Sequence, residues 1–397
     1  MGSVKLSEIT SVITKGTTPT TIGFNFQDEG INFVKVESIA ENGEFIKNKF
    51  QFISNECNEK MNRSKLEEDD ILFSIAGALG RTAIVSKEIL PANINQALAI
   101  IRLRKEKKQV TPKYLKIALN SKSVNNQFQK QKQGVAQLNL SLKNIGDLEI
   151  PLPPLEKQKQ ITKTLDTAAE LLAMRKQQLA ELDNLIKSIF LNMFGDPAFN
   201  NKMWELKGLR EISECFSDGP FGSNLKSDHY QSEGIRVIRL QNIGIGEFID
   251  NDKAFISEDH YKSIIKHSCY PGDLLLGTIG NPNLRACILP NTIGVAINKA
   301  DCIRCKPNKK VVLAEYLCHL INNPQFQNIV QTLIHGQTRS RISMGQLAGL
   351  SVPVPPIHLQ NQFALIVTKI EEQKAFVQNS IDESQQLFDS LMSENFE

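Results

Sequence analysis

No apolar run in the 397 residues approaches the ~20 needed to span a bilayer. The opening MGSVKLSEIT has no apolar core of the kind a secretory signal carries. An excess of one charge is also lacking: 46 Lys and Arg face 43 Asp and Glu, a formal net charge of +3. That balance excludes a polycation or an acidic tail, while leaving room for a local basic groove. Cysteine is sparse and odd in number, seven scattered through a long chain, which predicts reduced thiols in a cytoplasmic protein and no disulfide frame. There is no Gly-Lys dipeptide and hence no P-loop, and no HExxH, GxSxG or GxGxxG following a strand. What remains is an ordinary globular composition, 41% hydrophobic and 22% charged, long enough for two or three domains.

The chain repeats itself. Leu6-Ser7-Glu8-Ile9 returns as Leu209-Arg210-Glu211-Ile212, and Gly43-Glu44-Phe45-Ile46 as Gly246-Glu247-Phe248-Ile249, both displaced by 203 positions. Asp70-Ile71-Leu72 with Gly77 matches Asp273-Leu274-Leu275 with Gly280. Ile94-Asn95-Gln96-Ala97 matches Ile297-Asn298-Lys299-Ala300, and Pro151-Leu152-Pro153-Pro154-Leu155 matches Pro353-Val354-Pro355-Pro356-Ile357. Order is kept and the register drifts by about one residue, so the chain carries one module twice. Within each copy, short β-type runs (Ile31 to Val36, Ile71 to Ile75, Ala97 to Leu103) alternate with Gly, Asn and Pro turns, and helical patterns cover Lys113–Leu119 and Ala314–Ile321. This predicts a duplicated, mixed α/β (α+β) head.

After each proline cluster, glycine and proline vanish, from Leu155 to Phe194 and from Ile357 to Glu397. In the first stretch Ile161, Leu165, Ala168, Leu172, Arg175, Leu179, Leu182, Ile186 and Ile189 recur at alternating steps of four and three. Phe363, Val367, Ile370, Lys374, Val377, Ile381, Ser384, Phe388 and Leu391 do the same in the second. Both are a/d seams of long helices, each roughly 55–60 Å at 1.5 Å per residue. Arg175, Lys374 and Ser384 interrupt the stripes, either to fix register or, for the two cations, with their charges carried out to solvent. Pro154 and Pro356 suit helix starts, and Gly195-Asp196-Pro197 ends the first helix. The expected division is a head over 1–150, a helix over 151–195, a second head over 196–352 and a second helix over 353–397. Paired antiparallel, the helices would set the heads at opposite ends about a pseudo-twofold axis. A 50 Å separation corresponds to about fifteen base pairs of duplex at 3.4 Å each, the logic of half-site recognition.

Two patterns invite a chemical reading. Asn323-Pro324-Gln325-Phe326 is similar to the Asn-Pro-Pro-Tyr/Phe motif of DNA amino-methyltransferases, but its counterpart Asn125-Asn126-Gln127-Phe128 lacks the proline and no glycine-rich cofactor loop accompanies either. Cys302-Ile303-Arg304-Cys305 is half of a zinc pattern, with His260, His267 or Cys269 as possible completions. The repeat aligns Cys302 and Cys305 with Ala99 and Leu103, which makes them small core residues and predicts no metal.

The motifs IPLPPLEKQKQI (Ile150–Ile161) and VPVPPIHLQNQF (Val352–Phe363), the two glycine turns and the helix end FLNMFGDP (Phe190–Pro197) resemble the specificity subunit of type I restriction–modification enzymes. SDGPFGSNLKSDHY (Ser217–Tyr230), followed by GIRVIRLQNIG, resembles a target-recognition domain of that family. Where the family often has Glu-Gln after the prolines, Lys157-Gln158 and Leu359-Gln360 keep the glutamine. The resemblance implies two target-recognition domains reading the halves of a split double-stranded DNA site, with the helix pair setting the spacer. It implies as partners two modification (methyltransferase) subunits and the restriction (helicase–nuclease) subunits. S-adenosylmethionine, ATP and Mg would belong to those subunits, and this chain would bind no cofactor and hold no catalytic residue. The competing readings are a purely structural coiled-coil adaptor and a self-sufficient methyltransferase or nuclease.

Within a duplicated scaffold, specificity is expected where the loops of the copies differ. One such pair is Lys15–Thr21 against Phe221–Lys226, with Lys15, Thr17 and Thr18 facing Ser223, Asn224 and Lys226 as candidates. The other is Gly134–Leu140 against Gly336–Ile342, where Gln137 and Asn139 align with Arg339 and Arg341, flanked by Gln337 and Ser340. Gln and Asn suit adenine and Arg suits guanine, so the first half-site is expected to depend on adenine and the second to contain a guanine. Arg81 and Arg285, beside the glycine turns, are candidates for phosphate, and Arg236 and Arg239 for the polar face of a strand.

Overall fold

A computed structural model of the chain describes residues 2–106, 109–130, 140–332 and 341–397. It contains two compact units, residues 1–176 with 379–397, and residues 177–378. Each therefore groups a head with parts of both long helices, whereas the boundaries drawn from composition separate heads from helices.

In the first unit the strands are β1 (Ser3–Lys5), β2 (Thr10–Lys15), β3 (Ile31–Val34), β4 (Gln51–Ile53), β5 (Ile71–Ser74), β6 (Thr82–Ile84), β7 (Ala92–Ile94), β8 (Leu98–Leu103) and β9 (Glu149–Pro151). A four-stranded antiparallel sheet runs in the order β2-β8-β5-β6, a three-stranded sheet runs β4-β3-β7 with β3 and β7 parallel, and β1 pairs with β9. The sequence of β5 explains its central place. Ile71, Leu72, Phe73 and Ser74 are all buried, and the period of two sends Ile71 and Phe73 into one core and Leu72 into another.

The second unit repeats the plan with β10 (Glu205–Gly208), β11 (Ser213–Ser217), β12 (Ile235–Ile238), β13 (Phe255–Ile256), β14 (Ser268–Cys269), β15 (Leu274–Gly277), β16 (Arg285–Ile288), β17 (Ala296–Asn298), β18 (Cys302–Pro307) and β19 (Ser351–Val354). Its sheets run β11-β18-β15-β16, β13-β12-β17-β14 and β10-β19. Leu274 and Leu276 enter one core and Leu275 the other, as in the first unit. Strand pairing also corrects the repeat register. Ile71 faces Ile101 and Leu274 faces Cys305, so the residues matching Cys302 and Cys305 are Leu98 and Ile101, not Ala99 and Leu103. Ile94 likewise matches Asn298, each closing the parallel pair.

The repeated aspartate has a structural task. Asp70 and Asp273 are buried, and each accepts the amide of the residue three positions earlier (Glu67 at 2.7 Å, Tyr270 at 2.8 Å), closing a left-handed turn at Asp69 or Gly272. Each also holds an arginine: Arg102 bidentately at 2.7 and 2.8 Å, Arg304 at 2.6 Å. In the sheet register Arg304 stands opposite Leu275 as Ile100 stands opposite Leu72. The two copies thus reach the same carboxylate from positions two residues apart on one strand face.

The long helices cover Leu155–Phe194 and Ile357–Phe396. Every seam position is buried or half-buried while most of its neighbours are exposed, which is the packing the alternating spacing dictates. In the second unit Phe363 lies against Phe190 and Phe194, at ring-centroid distances of 5.6 and 5.3 Å, and Lys374 bonds Asp183 at 2.7 Å, so these segments run antiparallel. In the first, Phe388, Leu391, Met392 and Phe396 join the core that holds Ile161 and Leu165. Among the polar seam residues, Lys374 pairs with Asp183 and Glu371, and Ser384 donates to its own helix at Ser380 O. Burial would lower the Lys374 pKa, but hydrogen bonds to the two carboxylates outweigh it and the net shift is upward.

One device seats each helix on its head. Gln158, fully buried, accepts the Thr111 amide (3.0 Å) and donates to Gln109 O (2.7 Å) and Pro153 O (2.9 Å). Gln360 accepts from Leu313 N (2.9 Å) and donates to Val311 O (3.1 Å) and Pro355 O (2.7 Å). Beside it, Tyr114 and Tyr316 donate to Pro151 O and Pro353 O, both at 2.9 Å. The glutamine retained after each proline cluster therefore ties loop, proline turn and helix together through main-chain atoms. Among the described residues, no helix is long and apolar enough to cross a membrane.

Candidate nucleic-acid interface

In each head the first candidate loop and the described end of the second meet at one turn. In the first head, Gly16 follows β2 so closely packed that a Cβ there would stand 1.9 Å from Ile94 O. Its amide donates to Leu98 O, and Thr18 hydrogen-bonds Gln96. From the other side, Leu140, the first described residue after the second loop, donates to Ile75 O (3.1 Å), and Ile75 donates to Ala97 O (2.9 Å). The second head repeats the arrangement. A Cβ on Gly219 would meet the Lys299 carbonyl carbon at 2.2 Å, Ile342 donates to Thr278 O (3.3 Å), and Thr278 donates to Asp301 O (3.2 Å). The turns Asn95–Ala97 and Lys299–Asp301 thus form a floor beneath the first loop and the described end of the second.

Lys15 is exposed at the end of β2, with Thr17 and Thr18 half-buried behind it. Ser223, Asn224 and Lys226 are all exposed. Two histidines support that loop from below: His260 Nε2 meets Asn224 O at 2.9 Å, and the Lys226 amide donates to His229 Nδ1 at 3.1 Å, with the rings 4.2 Å apart. Arg341 is exposed and bridges to Ile279 in antiparallel fashion. Gln137, Asn139, Gln337, Arg339 and Ser340 lie outside the described residues.

The arginines near the glycine turns work inward. Arg81 donates to Ile39 O (2.7 Å) and Val36 O (3.4 Å). Arg285 donates to Ile243 O (2.5 Å), Leu240 O (2.8 Å) and Ile279 O (2.6 Å). Both satisfy the carbonyls of the turn that follows β3 or β12, so contact with a phosphate would have to be made with a guanidinium already committed to the frame. Arg236 is not on an exposed strand face either. It is 4% exposed, bonds Asp250 at 2.7 Å and lies over the Phe255 ring at 5.5 Å. Burial lowers its pKa.

Sequence reasoning passed over the floor itself. Lys299 donates to Tyr230 OH at 2.8 Å and stands over the same ring, as Arg239 does from 5.6 Å, which holds two cations on one aromatic beside the loop. Asp301, with φ +67°, carries its carboxylate to within 3.7 Å of Arg341. The signal was present in the repeat, where Asn95–Ala97 and Lys299–Asp301 differ in every residue while the flanking strands stay apolar.

The two chemical decoys resolve structurally. Asn323 caps a helix, accepting from Gln325 N (2.9 Å) and Phe326 N, with Pro324 in the first turn. Cys302 and Cys305 point to opposite faces of β18, into different cores, so the two sulfurs do not converge on one point. Burial pushes the Cys305 thiol up to about 11 and the Cys269 thiol to about 12. Among the described residues, no group of three or more His, Cys, Asp or Glu is placed to hold a metal.

Two copies of one α/β head, each fastened to long seamed helices and each carrying a divergent polar loop over a common floor, define a tandem recognition scaffold. Residues 1–184 match the type I restriction modification DNA specificity domain. It is 34% identical over 170 residues to the type I restriction enzyme EcoBI specificity subunit of Escherichia coli, an alignment covering 42% of this chain and 35% of that one. It is 23% identical over 316 residues to the MjaVIII specificity subunit of Methanocaldococcus jannaschii, covering 76% and 71%. The fold matches a chain solved in work on the complex assembly and conformational transition of the type I R-M system, with a TM-score of 0.64, 17% identity and coverage of 99% and 97%.

Proposed function

We propose that the chain is the DNA sequence-recognition subunit of a type I restriction–modification complex. Each head reads one half of a bipartite site, and the long helices set the spacer and dock two modification subunits, with restriction subunits joining the assembly. Catalysis, and with it S-adenosylmethionine, ATP and Mg, belongs to those partners. The observation that carries this reading is the pair of rims: one main-chain frame, built twice, with different hydrogen-bonding side chains at matched positions. A structural adaptor has no use for such divergence, because a spacer works equally well with identical heads.

Reconstitution tests it. The chain, combined with its modification subunits and S-adenosylmethionine, is expected to direct adenine methylation to a split motif mapped at base resolution. Replacing the polar residues of one rim with those of the other is expected to change one half of the motif and leave the other half intact. Methylation without sequence preference, or by the chain alone, would overturn the proposal.

A further inference from the structure

The rim of the second head contains a strained residue that the first head lacks. Asp301 lies in the left-handed region at φ +67°, where L-residues other than Asn and Asp are rare. Its carbonyl is gripped twice, by the Thr278 amide (3.2 Å) and the Thr278 hydroxyl (3.1 Å), so the backbone is fixed at this point. Thr278 in turn accepts the Ile342 amide, and Ile279 bridges Arg341. Asp301 and Arg341 are thereby brought face to face by main-chain bonds on both sides, with Nη1 and Oδ1 3.7 Å apart. The arginine side chain remains 52% exposed.

As a contribution to stability this pair is weak, since an exposed ion pair is worth at most about 1 kcal/mol. A left-handed aspartate is a costly way to obtain so little, and strained backbone collects where geometry serves function. The carboxylate approaches the guanidinium at Nη1, and the side-on pair of donors on the opposite side of the group is Nε with Nη2. That edge has the planar, two-donor geometry that meets O6 and N7 of guanine in the major groove. Restricting a long side chain before contact also lowers the ordering cost of binding.

We propose that Asp301 is a positioning residue, holding Arg341 in the orientation that reads one guanine in the half-site assigned to the second head. In the sequence of the first head, Ala97 aligns with Asp301 and Asn139 with Arg341, so neither partner of the pair is charged there. This inference rests on the DNA-recognition reading above and adds to it a base, a reader and the residue that aims the reader.

The test uses the complete complex with its modification subunits, a duplex carrying the motif mapped for the wild type, and single-base variants of that duplex. Asp301→Asn keeps the left-handed backbone and removes the charge, which separates the fold from the aiming. Arg341→Ala is expected to reduce discrimination at a single guanine by roughly ten- to a hundredfold. Asp301→Asn is expected to reduce it at the same position by a smaller factor, with the melting temperature unchanged, and to have no further effect in the Arg341→Ala background. Arg341→Ala that weakens all duplexes equally and reduces the salt dependence would mark a phosphate contact and overturn the inference. So would an Asp301→Asn effect that persists without Arg341, or a motif with no guanine that responds to either change. In those cases the complex still selects a sequence and the broader reading stands; a wild-type complex with no sequence preference defeats both.

Discussion

At the same point of the same sheet, pairing with a matched alanine of the parallel strand, the first head carries Asn32 and the second carries Arg236. Asn32 donates to Ile89 O at 2.8 Å, while Arg236 reaches Asp250 and the Asp252 carbonyl and covers Phe255. A four-atom amide and a buried guanidinium share one backbone position because each head supplies its own acceptors. The difference teaches that the frame is specified by main-chain pairing and apolar alternation, and that polar chemistry is free to change where local partners change with it. The same holds on the rim, where Gln96 under Thr18 is answered by Lys299, Tyr230 and Asp301.

The strongest way to probe that contrast is through the buried aspartates. Asp273→Ala leaves Arg304, which is nearly buried, without its carboxylate, and should cost ~3–5 kcal/mol in denaturant unfolding. Asp70→Ala should cost less, about 1–3 kcal/mol, because Arg102 is more exposed and keeps Glu67. Equal losses would mean the two networks are equivalent despite their shifted arginines. Gln158→Leu and Gln360→Leu should behave alike, each costing about 1–3 kcal/mol by stranding one amide and two carbonyls, read as a shift in the unfolding midpoint.

A pH effect should separate the heads. Burial, with Lys374 nearby, lowers the His319 pKa from 6.5 to about 4. The folded state therefore binds fewer protons than the unfolded chain across that window, so stability is fully present above 6.5 and falls as pH drops toward 4. The loss between pH 7 and pH 5 should be on the order of 1–2 kcal/mol and should disappear in His319→Ile, the residue the first head has at position 117. A comparable loss is expected from Cys302→Leu, which borrows the first head's Leu98 but adds volume at a fully buried site and should cost about 1–3 kcal/mol.

Much of the frame was legible from the residues. The long helices fall where glycine and proline vanish, and their seams are the buried positions, because a heptad stripe has one stable way to pack. The repeat located both heads, yet its register slipped by one at Ile94–Ala97, since insertions in turns leave no mark on apolar alternation. The carbonyl partners of Arg81 and Arg285 were not legible for a related reason: charge says nothing of whether carbonyls wait within reach. Asp301 was passed over because left-handed backbone at an aspartate has no signature in composition, and its meeting with Arg341 joins segments far apart in the chain.

Among the described residues, the hydrogen bonds that Gln158 and Gln360 make to their heads go to main-chain amides and carbonyls. A joint of that kind is indifferent to which side chains its neighbours carry, so mutation can rewrite a reading surface wholesale while the seat beneath it goes on fitting. Heritable change in what the protein recognises therefore need not await compensating change in how it is held.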